Sequence, residues 1–181
     1  VLFRSEGAGS PTGLQKCTVD VFPESATNMG PAVRVSASGA YVMVVRGGGG
    51  NCRLYKADSA NAWTLLAATT TLVVTAGAWA TFSLKAQTVG SDVVLTMSDG
   101  TNTETFTDLA ANSPLLTGYP GLGFDDAFSG TFHNRMDNIS IDDLAVAGIT
   151  LTAAAGAFTL TGNGIILAGY GIGRGRYLPS A

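Results

Sequence analysis

The chain has 181 residues and a net charge of −3, with 13% charged residues, 46% hydrophobic residues and 24 glycines. This mixture is typical of a β protein with many tight turns and argues against a disordered chain. The ten Lys and Arg residues are scattered apart from Arg174 and Arg176, so nucleic acid is not an expected partner. Threonines and a glycine interrupt the longest apolar run, residues 67–80. Because a spanning helix needs roughly 20 apolar residues, no membrane partner is expected either.

Alternating apolar and polar residues predict half-buried strands in the first part of the chain. Residues 15–22 alternate throughout, and residues 32–36 repeat the pattern, with Arg34 predicted to point outward between two inward valines. Residues 41–45 are apolar at every position, which predicts either a central strand that is covered on both faces or a strand at the sandwich core. The glycines at 47–50 predict a hairpin turn after that strand.

The second part of the chain continues the β pattern. Residues 92–98 and 103–107 flank the dipeptide Asp99-Gly100, which is a strong signal for a hairpin. No segment shows a helical period, so the sequence predicts an all-β domain of the sandwich or barrel type. The other predicted strands are residues 52–56, 62–67, 72–75, 79–85, 121–124 and 136–144.

The composition changes near residue 148, where acidic residues disappear. Thr150-Leu-Thr152 returns nine residues later as Thr159-Leu-Thr161, which predicts a β-hairpin. A further partial copy at residues 176–181 leads us to interpret the tail as a truncated repeat array.

The first five residues, Val1-Leu-Phe-Arg-Ser5, look like the translation of a sequencing-adapter end. We therefore expect a gene fragment from metagenomic DNA, whose first five residues are not natural protein and whose export signal, if it had one, was encoded upstream. Residues 1–13 are predicted to be a non-native or disordered N-terminal segment.

The order of turns and strands along residues 14–146 resembles the concanavalin A-like lectin/glucanase superfamily, and more narrowly its LamG-type jelly rolls. The tail from Ile149 is similar to a repeat of bacteriophage structural proteins. The segments that carry the first resemblance include Gly30-Pro-Ala-Val-Arg-Val, Arg53-Leu-Tyr, Trp63-Thr-Leu-Leu, Gly77-Ala-Trp79, Gly118-Tyr-Pro-Gly121-Leu-Gly-Phe and Asp137-Asn138.

These resemblances imply an antiparallel jelly-roll β-sandwich over residues 14–147 and a truncated β-repeat appendage over residues 148–181. They imply a non-enzymatic recognition or structural module of a phage virion or tail-associated protein, located on the virion or outside the cell. Its partners would be a host-surface glycan and other virion proteins. The alternatives are a fragment of a secreted bacterial carbohydrate-active enzyme or surface adhesin, and a purely architectural virion protein without a ligand.

The ionisable residues do not form the patterns that catalysis requires. A glucanase of the superfamily would need Glu-x-Asp-x-x-Glu, and none of Glu6, Glu24 and Glu104 has an Asp two residues later. His133 is the sole histidine and has no nucleophile motif nearby. We therefore predict no enzyme activity and no catalytic, cofactor-binding or metal-binding residue.

One metal hypothesis remains open at Asp125 and Asp126. Their carboxylates, helped by Asp137 or Asn138, would suit calcium, and the alternative is a solvated turn.

Sugar-binding surfaces present aromatic faces, and Tyr41, Tyr55, Trp63 and Trp79 are the aromatic candidates. We expect Trp79 to lie mostly in the core. Tyr55 and Trp63 are therefore the predicted carbohydrate-binding residues.

Cys17 and Cys52 both occupy apolar phases of predicted strands. Two buried free thiols and a single bridge between neighbouring strands are both compatible with the sequence.

Overall fold

The computed structural model describes residues 2–4, 13–24, 28–46, 50–60, 62–124, 135–143, 150–154 and 157–161. These residues form thirteen β-strands and one 3-10 turn, without an α-helix among them. The all-β prediction is therefore confirmed. None of the described segments is an apolar helix long enough to cross a membrane.

The strands follow the predicted segments closely in the middle of the chain. Their bounds are β1 Leu2–Arg4, β2 Leu14–Phe22, β3 Met29–Ser36, β4 Gly39–Val44, β5 Gly50–Asp58, β6 Trp63–Val74, β7 Ala80–Val89, β8 Asp92–Ser98, β9 Thr103–Asp108, β10 Tyr119–Phe124, β11 Arg135–Asp143, β12 Thr150–Ala154 and β13 Ala157–Thr161, and the 3-10 turn is Ala110–Asn112.

Two antiparallel sheets form a jelly-roll sandwich. The six-stranded sheet has the order β1-β10-β3-β4-β5-β6, and the five-stranded sheet has the order β11-β2-β7-β8-β9. Strands that are distant in sequence are neighbours in both sheets, since β10 pairs with β3 and β11 pairs with β2. As a result, β10 lies between β1 and β3, and β11 is the edge strand beside β2.

The core lies between the inner faces of the two sheets. On β2, the alternation predicted from the sequence buries Cys17, Val19 and Val21 completely. Most of the buried side chains opposite them are aliphatic or aromatic, as burial of apolar surface requires. The core includes Met29, Val33, Tyr41, Met43, Leu54, Leu72, Phe82, Leu84, Leu95 and Met97.

The outer face of the six-stranded sheet, which points away from the core, carries a second apolar cluster. It consists of Ala32, Val35, Ala40, Val42 and Val44, and all of these are buried. Every residue of β4 is buried as a result, which confirms the prediction of a strand covered on both faces.

Gly123 shows how closely this outer cluster packs. A Cβ atom on Gly123 would lie 2.5 Å from Cγ1 of Val42, so the position has room only for glycine unless Val42 moves.

The predicted outward position of Arg34 is wrong. Its side chain is completely buried, and its φ angle is +57°. The register shifts between Val33 and Ser36, so the simple alternation fails there, and Val35 joins the outer cluster while Val33 stays in the core. The Arg34 guanidinium donates hydrogen bonds to the Gly13 carbonyl and, at 2.9 Å, to Thr88 Oγ1.

The structure also joins two predicted strands into one. Residues 62–67 and 72–75 belong to the single strand β6, which pairs with β5 through two register shifts. These irregularities interrupt the alternation that the sequence prediction relied on.

The predicted hairpins are confirmed where the structure describes them. Asp99 Oδ1 accepts the N–H groups of Thr101 at 2.9 Å and Asn102 at 2.6 Å, which closes the turn between β8 and β9. In the tail, β12 and β13 pair antiparallel with Leu151 opposite Leu160. The division of the chain at residues 13 and 147 stays a prediction.

Cys17 and Cys52 are not joined by a disulfide, and both are buried. Cys17 Sγ donates to the Gly121 carbonyl at 3.0 Å. Burial, with smaller contributions from Asp99 and Glu104, raises the pKa of Cys52 to about 12. The bridge that the sequence left open is therefore not formed.

Candidate functional site

The outer face of the six-stranded sheet changes character between β4 and β6. Cross-strand pairing places Val42 opposite Tyr55, and Tyr55 opposite Leu65. The next row along the strands ends at Trp63, because Ala57 pairs with Trp63. Small aliphatic side chains on the inner strands thus give way to large ones at the β5–β6 edge.

Tyr55 and Trp63, the two predicted carbohydrate-binding residues, are brought into contact on this face. Their ring centroids are 5.9 Å apart and their ring planes are inclined by 58°. Both rings are partly buried and pack against the outer apolar cluster. Each ring packs against the other ring and against the aliphatic side chains of the outer cluster. The pair therefore forms a fixed surface rather than two independent side chains.

Two other side chains border the aromatic pair. Leu65 is 50% exposed, and Arg53, opposite Val44 on the same face, is exposed as well. A tilted aromatic pair offers apolar contact to the CH groups of a sugar ring, and a guanidinium donates hydrogen bonds to hydroxyl groups. We call Arg53, Tyr55, Trp63 and Leu65 the β5–β6 surface.

Tyr41, another aromatic candidate, is not available to a ligand. Its side chain is buried in the core, where its hydroxyl donates to Asp108 Oδ2 at 2.6 Å and accepts the Leu115 N–H at 2.8 Å. Burial and the Asp108 carboxylate both raise the pKa of Tyr41. Lys56 completes this network with an ion pair of 3.0 Å to Asp108, so Tyr41 holds the fold together.

The prediction that Trp79 lies mostly in the core is wrong, because the side chain is 48% exposed. The sequence contained the signal for this. Trp79 is in phase with Thr81, which is exposed, and out of phase with Phe82, which is buried. Since side chains of a strand alternate between faces, Trp79 points away from the core.

The acidic residues that the sequence singled out make structural contacts where they are described. Glu104 Oε1 accepts the backbone N–H groups of Thr70 at 2.7 Å and Thr71 at 2.6 Å. Glu24 forms an ion pair of 3.7 Å with Arg135.

The calcium hypothesis is untested, since Asp125 and Asp126 lie outside the described residues, as does His133. Within the part of the chain that the structure describes, no group of three or more His, Cys, Asp or Glu side chains could hold a metal ion.

Solved structures that resemble the chain include three from different proteins. Carbohydrate binding module CBM66 from Bacillus subtilis has a TM-score of 0.51 and 15% identity, over 77% of this chain and 84% of that one. A single mutant of congerin II has a TM-score of 0.50 and 16% identity, over 78% of this chain and 100% of that one. The fold that they share with this chain is the jelly-roll β-sandwich. At these identities the likeness concerns the fold alone.

The third structure is the GH43 BlXynB protein from Bacillus licheniformis, with 14% identity over 68% of this chain and 26% of that one. Its TM-score of 0.43 is too low to indicate a shared fold. No protein-family model matches the chain, and no curated protein matches it.

Proposed function

We propose that this concanavalin A-like sandwich is a non-enzymatic carbohydrate-binding module and that the β5–β6 surface holds the sugar. The observation that carries the proposal is the Tyr55–Trp63 pair, whose rings lie 5.9 Å apart on an apolar bed at the edge of a sheet.

The chemistry of the surface supports a sugar ligand. A pyranose has apolar faces of CH groups and a rim of hydroxyls, so it needs aromatic contact and hydrogen-bond donors together. Tyr55 and Trp63 supply the first, and Arg53 and the Tyr55 hydroxyl supply the second. The pair is already packed in the free protein, so binding would immobilise few side chains.

The fold comparison adds support of a different kind. The Bacillus subtilis carbohydrate binding module CBM66 shares the sandwich over most of both chains, and by analogy we propose the same class of ligand for this chain.

We propose further that the module belongs to a phage virion or tail-associated protein and binds a host-surface glycan. This part rests on the tail's resemblance to phage repeats. A glycan-binding fragment of a secreted bacterial carbohydrate-active enzyme or adhesin would use the same surface. The genes that flank the source locus distinguish the two origins. Flanking capsid or tail genes support the phage origin. Flanking genes for secreted enzymes, without capsid or tail genes, contradict it.

A glycan array tests the binding proposal. We expect the parent protein to bind at least one glycan, and Trp63→Ala to lower the affinity at least about tenfold, which corresponds to about 1.4 kcal/mol. Tyr55→Ala should act in the same direction. The matched control is Leu109→Ala, because Leu109 is an exposed apolar side chain, 52% accessible, outside the β5–β6 surface.

Thermal unfolding of each variant is measured as well, because a loss of binding is informative only when the variant is folded. Binding by the parent protein that Trp63→Ala and Leu109→Ala reduce equally would contradict the assignment of the surface. A parent protein that binds no glycan above background would contradict the function itself.

A further inference from the structure

The outer face of the five-stranded sheet is polar, unlike that of the six-stranded sheet. Hydroxyl, amide and charged side chains follow one another across its strands. One row pairs Asp137 with Asp20 and Asp20 with Thr81. The row beside it contains Ser140, Thr18, Ser83, Ser98 and Thr103.

An aromatic group ends this polar face. Phe22 and Trp79 have ring centroids 5.4 Å apart and ring planes inclined by 56°. The Arg135 guanidinium lies 4.2 Å from the Phe22 centroid and 5.9 Å from the Trp79 centroid. These contacts hold the indole in place, although almost half of its surface is open to solvent.

The polar row next to Trp79 is preorganised by hydrogen bonds. The Asp20 carboxylate accepts the Thr81 hydroxyl at 2.5 Å and the Asn138 side-chain amide at 2.8 Å. Asp137 Oδ1 accepts the Asn138 N–H at 2.8 Å. Trp79 and Thr81 are two residues apart on the same face, a spacing of about 7 Å, which one sugar ring can bridge.

The charges around Trp79 argue against an anionic ligand. Arg135 is the cation of the group, and it pairs with Glu24 at 3.7 Å. Asp20 and Asp137 add negative charge on the same face, and hydrogen bonds from Thr81 and Asn138 lower the pKa of Asp20, so its carboxylate is ionised at neutral pH. A neutral ligand with several hydroxyl groups suits these acceptors better than a sulfated or phosphorylated one.

We propose that Trp79, with Asp20, Thr81 and Asn138, forms a second binding site for a neutral pyranose oligosaccharide. The indole stacks on the CH face of one sugar ring, while the Asp20 carboxylate and the Asn138 amide exchange hydrogen bonds with hydroxyls. The site goes beyond the proposed function because it lies on the other sheet and shares no residue with the β5–β6 surface. A chain with both sites engages two segments of a glycan, and linkage of two weak sites strengthens binding to a polymer.

The two tryptophans of the chain allow each site to be observed alone. In Trp63→Phe, the remaining indole is Trp79, and in Trp79→Phe it is Trp63. Fluorescence of Trp63→Phe is followed during titration with laminarihexaose, cellohexaose, xylohexaose and maltohexaose, each to about 10 mM. We expect a saturable change with at least one of them and a Kd on the order of 1 mM, as for a small, exposed site.

Two further substitutions in the Trp63→Phe background check the polar row. Thr81→Val removes the hydroxyl next to Trp79 while it keeps the side-chain shape, and it should weaken the fluorescence response at least about threefold. Thr96→Val is the matched control, because Thr96 lies on the same outer face but on β8, two strands away from Asp20 on β2. That variant should titrate like its parent.

No saturable change of Trp79 emission with any of the four oligosaccharides would overturn the proposal. Trp79 emission that depends on protein concentration instead would also overturn it, because a second copy of the chain would then occupy the patch. The Trp79→Phe titration keeps the two proposals apart. If the emission of Trp63 responds and that of Trp79 does not, the β5–β6 surface is supported and the second site is contradicted. If the emission of Trp79 responds and that of Trp63 does not, the second site is supported and the β5–β6 surface is contradicted.

Discussion

The outer faces of the two sheets differ sharply, although the inner faces of both contribute to the same apolar core. On the six-stranded sheet, the outer positions of β4 are Ala40, Val42 and Val44, and all are buried. On the five-stranded sheet, most outer positions of β2, β7 and β8 carry polar or charged side chains, and most of these have access to solvent. The two sheets therefore share an apolar inner layer but have outer faces of opposite polarity.

Among the described residues, each outer face carries an aromatic pair, and the geometries of the two pairs are nearly equal. Tyr55 and Trp63 are 5.9 Å apart at 58°, whereas Phe22 and Trp79 are 5.4 Å apart at 56°. Their surroundings differ. The first pair rests on aliphatic side chains, and the second is held by the guanidinium of Arg135 beside a row of hydrogen-bonded polar groups.

A charge placed on each outer face should have the largest effect and the clearest contrast. Val42→Asp buries a carboxylate among aliphatic side chains, and we expect it to lower the free energy of unfolding by about 4 kcal/mol or more. Thr96→Asp on the five-stranded sheet places the same group opposite Lys85, and we expect a loss of about 1 kcal/mol or less. Urea denaturation of both variants measures the difference. Equal losses would show that the two faces are equally buried.

Gly123→Ala tests how tightly the outer cluster packs. The added methyl group meets Val42 Cγ1, so we expect a loss of about 1 to 3 kcal/mol of unfolding free energy. In the background of Val42→Ala both γ-methyl groups are gone and only the Cβ contact of 3.2 Å remains, so the same substitution should cost clearly less. A double-mutant cycle from urea denaturation gives the coupling energy. Additive losses would mean that Val42 is not what excludes a side chain at position 123.

A substitution at Glu104 tests the hydrogen bonds that join the edge strands β9 and β6 of the two sheets. Its carboxylate on β9 accepts hydrogen bonds from Thr71 and Thr70 on β6, and these bonds lower the pKa of Glu104. The stabilisation is fully present above 4.5, the ordinary pKa of the side chain, and is lost as pH falls through the lowered folded pKa. Glu104→Gln should therefore be less stable than the parent at about pH 6, and the gap should shrink towards about pH 3.

Urea midpoints across this pH range measure the gap. A difference between Glu104→Gln and the parent that is constant with pH would show that the carboxylate charge does not strengthen the join between the sheets.

The smallest expected effect concerns the core that both sheets share. Because Cys17 and Cys52 are buried and the pKa of Cys52 is raised to about 12, neither thiol should react with a thiol reagent in the native protein. In urea, both should react. Rapid labelling of a thiol under native conditions would place that cysteine outside the sandwich core.

Much of the architecture follows from residue alternation. The half-buried pattern of residues 15–22 and the fully apolar run at 41–45 predicted β2 and β4 with the right exposure. The prediction failed at Arg34 and in β6, where register shifts break the period of two. Such shifts depend on pairing with another strand, and local sequence does not reveal them.

Only some residues of the two candidate surfaces could be predicted from the sequence. The prediction singled out Tyr55 and Trp63, but their contact depends on the register between β5 and β6. Trp79 was misjudged, although its phase relative to Phe82 already indicated an outward side chain. The group around it could not be inferred, because Arg135 is more than a hundred residues from Phe22 in sequence and reaches it only through the pairing of β11 with β2.

The indole NMR spectrum of the ¹⁵N-labelled protein tests the central claim most directly, because its two tryptophans give one side-chain signal each and Trp63→Phe assigns them. The spectrum is recorded during titration with the glycan that binds most strongly on the array. We expect the Trp63 signal to shift saturably, with the Kd that the intact protein shows. A Trp63 signal that stays in place while the protein becomes saturated with that glycan would contradict it.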